Sequence, residues 1–394
     1  MDAQRAEARR IFQAGVDAAD PFVAVAGVLD RVPAPALIIA VGKAARLMAK
    51  AALARFAGVP CLVVTNYENA QALEGAEVMA AGHPVPDAKG AAAAQAVIAA
   101  LTQTHGPVLA LISGGGSALL PAPAGALTLD DKAAVNALLL GAGLDITAMN
   151  LIRQQLSALK GGGLLRHAAP HHVTALILSD VIGDDLATIA SGPTVGPLGT
   201  AQDAIALLKQ ADLWFQVPDS VRVHLQAAGS PPAVPDATNI LVGSNAKSVA
   251  AMAQAAPSAH VIATPIEGDV AQAARLICDH AGPGITVWGG ETTVLLRGTG
   301  RGGRNQELAL RIAQEAGQRG WTDWVCLQGG SDGRDGPTDA AGGLVDQGTL
   351  GRISDVEGLL ANNDSYAALA QAGDLLVTGA TGTNVADLGV MIRR

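Results

Sequence analysis

Several short strings in this 394-residue chain hold residue types that could do chemistry on an anion. In I-S-G-G-G-S-A-L-L (112–120), Gly114, Gly115 and Gly116 let backbone N–H groups turn toward a phosphate, and Ser113 and Ser117 add donors. The bland alternative is a tight turn. The string is not a P-loop, because no G-K-[ST] follows, and Ser117 does not sit in a G-x-S-x-G elbow. In V-G-K-A-A (41–45), Lys43 falls at a strand-to-helix junction, where the helix dipole already favours anions. Asp180, in L-S-D-V-I-G-D-D (178–185), follows an apolar run, where a carboxylate could hold a divalent cation or accept a hydroxyl proton; Asp184 and Asp185 read better as helix or turn caps than as direct participants.

The C-terminal half adds G-G-E-T-T (289–293) with Glu291, and R-G-T-G-R-G-G-R-N-Q-E (297–307) with Arg297, Arg301 and Arg304. Guanidinium forks suit carboxylates and phosphates. Gly298, Gly300 and Gly303 match a dinucleotide fingerprint with Asp323 twenty residues on, but two arginines occupy the loop where pyrophosphate would need close backbone approach. Asp332, Arg334, Asp335 and Asp339 crowd the loop 329–343, as metal and substrate ligands or as solvated turn residues; no EF-hand glutamate is present. Thr381, Thr383, Asn384 and Asp387 sit in a polar turn at 378–388. His167, His171 and His172 flank Pro170 without matching ligands, and His83 reads as a loop residue.

Composition narrows the partners. Lys and Arg number 26 against 35 Asp and Glu, a net charge of −9, and there are only 4 Phe, 4 Trp and 2 Tyr. That speaks against a nucleic-acid binder, which presents a basic face and stacking aromatics. The uncharged stretch 106–129 holds a triple glycine and three prolines, so no membrane helix is expected there. The charged N-terminus does not resemble a secretory signal, and three scattered cysteines, Cys61, Cys278 and Cys326, fit free thiols in a reducing cytoplasm.

Short apolar runs at 36–42, 61–65, 108–112 and 173–178 alternate with helical segments, including 43–56. Uninterrupted apolar strands between helices predict parallel sheets covered on both faces. The pattern resumes after 236, with strands expected at 239–242, 260–263, 285–288, 294–296, 324–327 and 375–378 and helices at 246–256, 270–280, 305–315 and 365–372. The proline-rich segment 229–236 is the expected linker, giving domains 1–235 and 236–394. The expected fold is α/β: two three-layer α/β/α Rossmann-like domains with mainly parallel sheets and a ligand cleft between them.

In this order and spacing the strings resemble the glycerate 2-kinase family, in which a glycerate-kinase N-terminal domain precedes a MOFRL-type C-terminal domain. The carrying segments also include G-H-P-V-P-D (82–87), 149–163, I-A-S-G-P-T (189–194) and T-G-T-N-V-A-D-L (381–388); the M-O-F-R-L string itself is absent. The resemblance implies ATP-dependent phosphorylation of D-glycerate to 2-phosphoglycerate with magnesium or another divalent cation, and catalytic roles for Lys43, Arg304 and Asp180. Phosphoryl transfer needs positioning and charge neutralisation above all. The residues suit it. Ser113, Gly114, Gly115, Gly116 and Ser117 would cradle nucleotide phosphates, and Asp180 with Asp332 or Asp335 would hold the metal or take the substrate proton. Arg153, Glu291, Asn305 and Asp335 are the expected substrate contacts. The partners are then small molecules in the cytoplasm, compatible with a homo-oligomer. Some relatives carry the label hydroxypyruvate reductase; that NAD(P)H-dependent alternative rests on the Gly298–Gly303 match.

Overall fold

Strands β1 (Leu37–Val41), β4 (Val108–Ser113) and β5 (Val173–Leu178) are buried along their whole length. A strand covered on both faces is mostly apolar, so each reads as a near-continuous run, broken only by Thr174 and the terminal Ser113. With β2 (Cys61–Asn66), β3 (Glu77–Ala81) and β6 (Ala237–Gly243) they form a six-stranded sheet in the order β3-β2-β1-β4-β5-β6. The pairings β2–β3, β1–β2, β1–β4 and β4–β5 are parallel. Parallel strands need crossovers, and the helices Ala45–Arg55, between β1 and β2, and Ala88–Gln103, between β3 and β4, supply two of them. The order reverses between β1 and β4, so their connections leave in opposite directions and open a crevice at the carboxyl ends of these two strands. Lys43 follows β1, and the triple glycine follows β4.

This computed structural model describes residues 1–229 and 233–394. The chain forms two compact units, Pro21–Val242 and Met1–Asp20 with Gly243–Arg394. The limits therefore differ from the expected break at 235/236. Residues 230–232 of the expected linker lie outside the described residues. Val234, in the same segment, packs on the core of the first unit, and the strand expected to open the second domain is β6 of the first sheet.

The second unit holds β7 (His260–Val261), β8 (Ile266–Asp269), β9 (Gly284–Thr293), β10 (Trp324–Gly330), β11 (Gly342–Asp346), β12 (Leu375–Leu376) and β13 (Asp387–Arg393). Its main sheet runs β12-β11-β10-β13-β9-β7, with β8 also paired to β9. The expectation of mainly parallel sheets fails here: β12–β11, β11–β10, β10–β13 and β13–β9 are antiparallel, and only β7 and β8 run parallel to β9. Layers on both faces make these strands apolar whatever their direction. One face carries Ile312, Ala313 and Leu369; the other carries the first helix, Asp2–Asp17, through Ile11, Phe12 and Val16. The run 294–296 is not a strand; Leu295 and Leu296 are exposed. The helices Val270–His280 and Ser365–Ala372 fall where expected. Among the described residues no single helix is long and apolar enough to cross a membrane.

Candidate active site

The sequence builds the crevice of the first unit at Gly42. Its φ of +123° favours glycine, and a Cβ there would collide with Ser113. The Ser113 hydroxyl is buried between the strands, accepting from Ala44 N (3.1 Å) and donating to Val41 O (3.4 Å). It fastens β1 to β4 instead of facing a ligand. Lys43 N donates to Gly114 O (2.9 Å), which brings the lysine beside the glycine run. A Cβ on Gly115 would lie 3.3 Å from the Lys43 stem and 3.0 Å from the His83 ring; one on Gly114 would overlap the Asp180 carboxylate. Lys43, His83, Asp180 and the glycine run thus converge, and only glycine leaves room for them. Gly115, Gly116 and Ser117 keep backbone N–H groups with no acceptor among the described residues. His83 titrates below its ordinary range through burial and the neighbouring Lys43 charge, with Glu68 opposing.

Ser117 is held from below. Its hydroxyl accepts from Lys160 Nζ (2.7 Å) and lies 2.9 Å from Ser191 Oγ, which donates to Asn150 Oδ1 (3.1 Å). Arg153 stands on the helix Ile146–Gln155 and donates through Nε (3.0 Å) and Nη2 to Asn136 Oδ1. Asp185 caps a turn by accepting from Ala187 N (3.0 Å) and Thr188 Oγ1 (2.7 Å).

In the second unit Gly303 caps the helix Arg304–Gln318, and a Cβ there would strike the Asp335 carboxylate. Asp335 accepts from Asn305 N (3.1 Å) and Gln306 N (2.8 Å), closing the helix N-terminus. Arg304 forks onto Asp387, from Nε (2.7 Å) and Nη2 (3.1 Å), and its Nη1 pairs with Glu291 (2.9 Å). Asn305 Nδ2 donates to Asp387 Oδ1 (2.9 Å), and its Oδ1 accepts from Gln328 (2.6 Å). Burial pushes the Asp335 carboxyl up to about 6 against its N–H bonds, and raises Asp387 against Arg304. Burial works against the Arg304 charge, but Asp387 and Glu291 outweigh it and raise that group.

Both oxygens of Asp335 are therefore engaged by N–H donors at the start of this helix. Asp332 Oδ1 accepts from Arg334 N (2.9 Å). Among the described residues no group of three or more His, Cys, Asp or Glu side chains is gathered as a metal cage. Asp180 lies in one unit and Asp332 and Asp335 in the other.

The dinucleotide match dissolves at the same level of detail. Arg297 N and Gly298 N donate to Asn363 Oδ1, Thr299 N to Asn362 Oδ1, Gly300 N to Asn362 O and Arg301 N to Asp364 Oδ1. Amides spent on a neighbouring loop cannot cradle pyrophosphate.

Comparison with known proteins gives the family. A domain of unknown function, DUF4147, matches residues 7–226, and the MOFRL family matches residues 284–387. A protein named glycerate 2-kinase from Pyrococcus horikoshii is 36% identical over 96% of this chain and 91% of its own. A crystal structure of glycerate kinase from Thermotoga maritima superposes with a TM-score of 0.93 at 34% identity, covering 100% of both chains. The chain belongs to the glycerate kinase family. One relative, from Agrobacterium vitis and 38% identical over 98% of this chain and 93% of its own, is named putative hydroxypyruvate reductase. The amides spent at 297–301 give that name no support in this glycerate kinase family member. His83, a loop residue by its sequence context G-H-P-V-P-D, stands against Gly115 beside Lys43.

Proposed function

We propose that the protein is a glycerate 2-kinase, transferring the γ-phosphoryl group of ATP to the 2-hydroxyl of D-glycerate to give 2-phosphoglycerate and ADP. The observation that carries this reading is the convergence of Lys43, the glycine run and Asp180 at the strand-order reversal. In-line transfer spreads negative charge over the moving group, and fixed cations and N–H dipoles stabilise it without reorganising. Lys43 supplies a mobile cation there, and Gly115–Ser117 supply N–H donors. Asp180 accepts the proton of the attacking hydroxyl or holds the metal. Arg304, fixed by Asp387 and Glu291, presents a positioned guanidinium.

Magnesium usually takes one or two carboxylates and fills its sphere with phosphate oxygens and water. Asp180 beside Gly114 fits that demand. Bound there, the ion would neutralise charge on the phosphate oxygens. Unpaired, buried Cys61, Cys278 and Cys326 support a reducing, cytoplasmic setting.

One coupled assay tests the activity. The protein with ATP, magnesium and D-glycerate should feed enolase directly, with no mutase added, because enolase takes only the 2-phospho isomer. NADH with hydroxypyruvate should give no turnover. Hydride transfer without kinase activity would reverse the reading.

A further inference from the structure

The first unit holds a cavity of about 400 Å³ against the glycine run, walled by the helices Leu129–Gly141 and Ile146–Gln155. His83, Lys132, Arg153 and Lys160 line it, and none of its lining residues is acidic. Lys160 is 6% exposed; its Nζ donates to Ser117 O (3.0 Å) and Oγ (2.7 Å). Lys132 Nζ donates to Leu156 O (2.9 Å). With Arg153 on Asn136, all three cations are held by neutral acceptors, and none has a carboxylate partner among the described residues.

Sequestered like charges without counter-charge are costly. Burial and Arg153 push Lys132 down to about 7, and burial, Lys132 and Arg153 push Lys160 well below its ordinary range. A fold that keeps such a trio around an open volume is shaped for an anion that completes it. A nucleotide brings its own divalent cation, which seeks carboxylate ligands that this wall lacks. A small organic acid brings none. The remaining wall is largely apolar, including Pro84, Leu129, Val135 and Leu156.

We propose that this cavity binds the carboxylate of the phosphoryl acceptor, with Arg153 as the bidentate fork and Lys132 and Lys160 as the charges that select an acid over a neutral polyol. The acceptor's identity rests on the kinase reading above. Because Lys132 sheds its proton close to neutrality in the empty protein, filling the site draws a proton in.

The test compares wild type with Lys132→Met, Arg153→Met and Arg153→Lys in full-length protein. The KM for D-glycerate should rise about tenfold to a hundredfold in the methionine variants, the range for one charged hydrogen bond, while the KM for ATP stays within about twofold. Arg153→Lys should recover part of the loss. Titration calorimetry of D-glycerate without nucleotide, in two buffers of different ionisation enthalpy above pH 7, should show proton uptake by wild type and less by Lys132→Met, where Lys160 alone remains to take one up. Lys132→Met keeps the test alive if Arg153→Met does not fold. An increase confined to the KM for ATP, unchanged constants, or no glycerate binding would overturn the proposal. If wild type binds glycerate with proton uptake yet transfers no phosphate, the kinase reading falls and the anion cavity stands.

Discussion

Arg304 and the Lys132–Arg153–Lys160 trio carry the same charge and are treated in opposite ways. Arg304 is clamped by two carboxylates, one of them, Asp387, 3% exposed and itself tied to Asn305. The trio is held by a carbonyl, an amide oxygen and a serine. A paired cation is fixed in place and its charge is largely answered. An unanswered one keeps its field available, at a cost to the empty protein. The contrast separates a charge built for position from charges built for capture.

The sharpest way to break this contrast is through the chemistry. Lys43→Ala and Arg304→Ala should each lower kcat by about a hundredfold or more, the usual loss when a fixed transition-state donor is removed. Initial rates at saturating ATP and glycerate measure this, and a near wild-type rate for both would remove the proposed machinery. Next in size is stability in the paired region. Asp387→Asn keeps one acceptor oxygen but removes the charge that answers Arg304 and sets an amide NH2 against its Nε, and should cost about 3–5 kcal/mol in denaturant unfolding. A loss below about 1 kcal/mol would mean that Glu291 alone holds the arginine.

The smallest effect should carry the opposite sign. Lys132→Met removes an unanswered charge and should leave the ligand-free protein as stable or more so near pH 7. Lys132 loses its proton near 7 when folded but near its ordinary value of 10.5 when unfolded. Between those values the unfolded chain holds more protons, so this residue makes stability rise with pH from about 7 toward 10. The methionine variant should lack that component of the rise. Identical pH slopes for both proteins would show that Lys132 is well solvated.

Much of this arrangement was legible in the residues. The run 173–178 maps onto β5 at its bounds, and Lys43, Ser113–Ser117 and Asp180 come together because all three strings end adjacent strands. What stayed hidden depends on contacts distant in sequence. β13 was missed because Gly389 breaks its apolar run; a Cβ there would overlap the Trp288 ring, a reason found only across the sheet. The direction of β10 and β13 was hidden as well, since strands buried on both faces are apolar in either direction. Lys132 and Lys160 look like ordinary lysines until the missing carboxylate becomes visible, and a missing partner leaves no mark in the sequence.

The first helix carries a consequence for how the chain is made. Asp2–Asp17 packs through Ile11, Phe12 and Val16 against Met252, Leu327 and Leu388, and Arg5 pairs with Asp346 (2.6 Å) and Asp374 (2.8 Å). Those partners lie more than 200 residues downstream, beyond the whole of the unit 21–242. During synthesis that unit can close while the opening helix waits, its apolar face uncovered, until the last strand leaves the ribosome. Contacts of such sequence separation form late and slowly. The helix 2–17 and the strands it covers therefore act as a clasp, and cutting at residue 20 or at 236 would strip the second unit of one of its covering layers or strand the helix that supplies it.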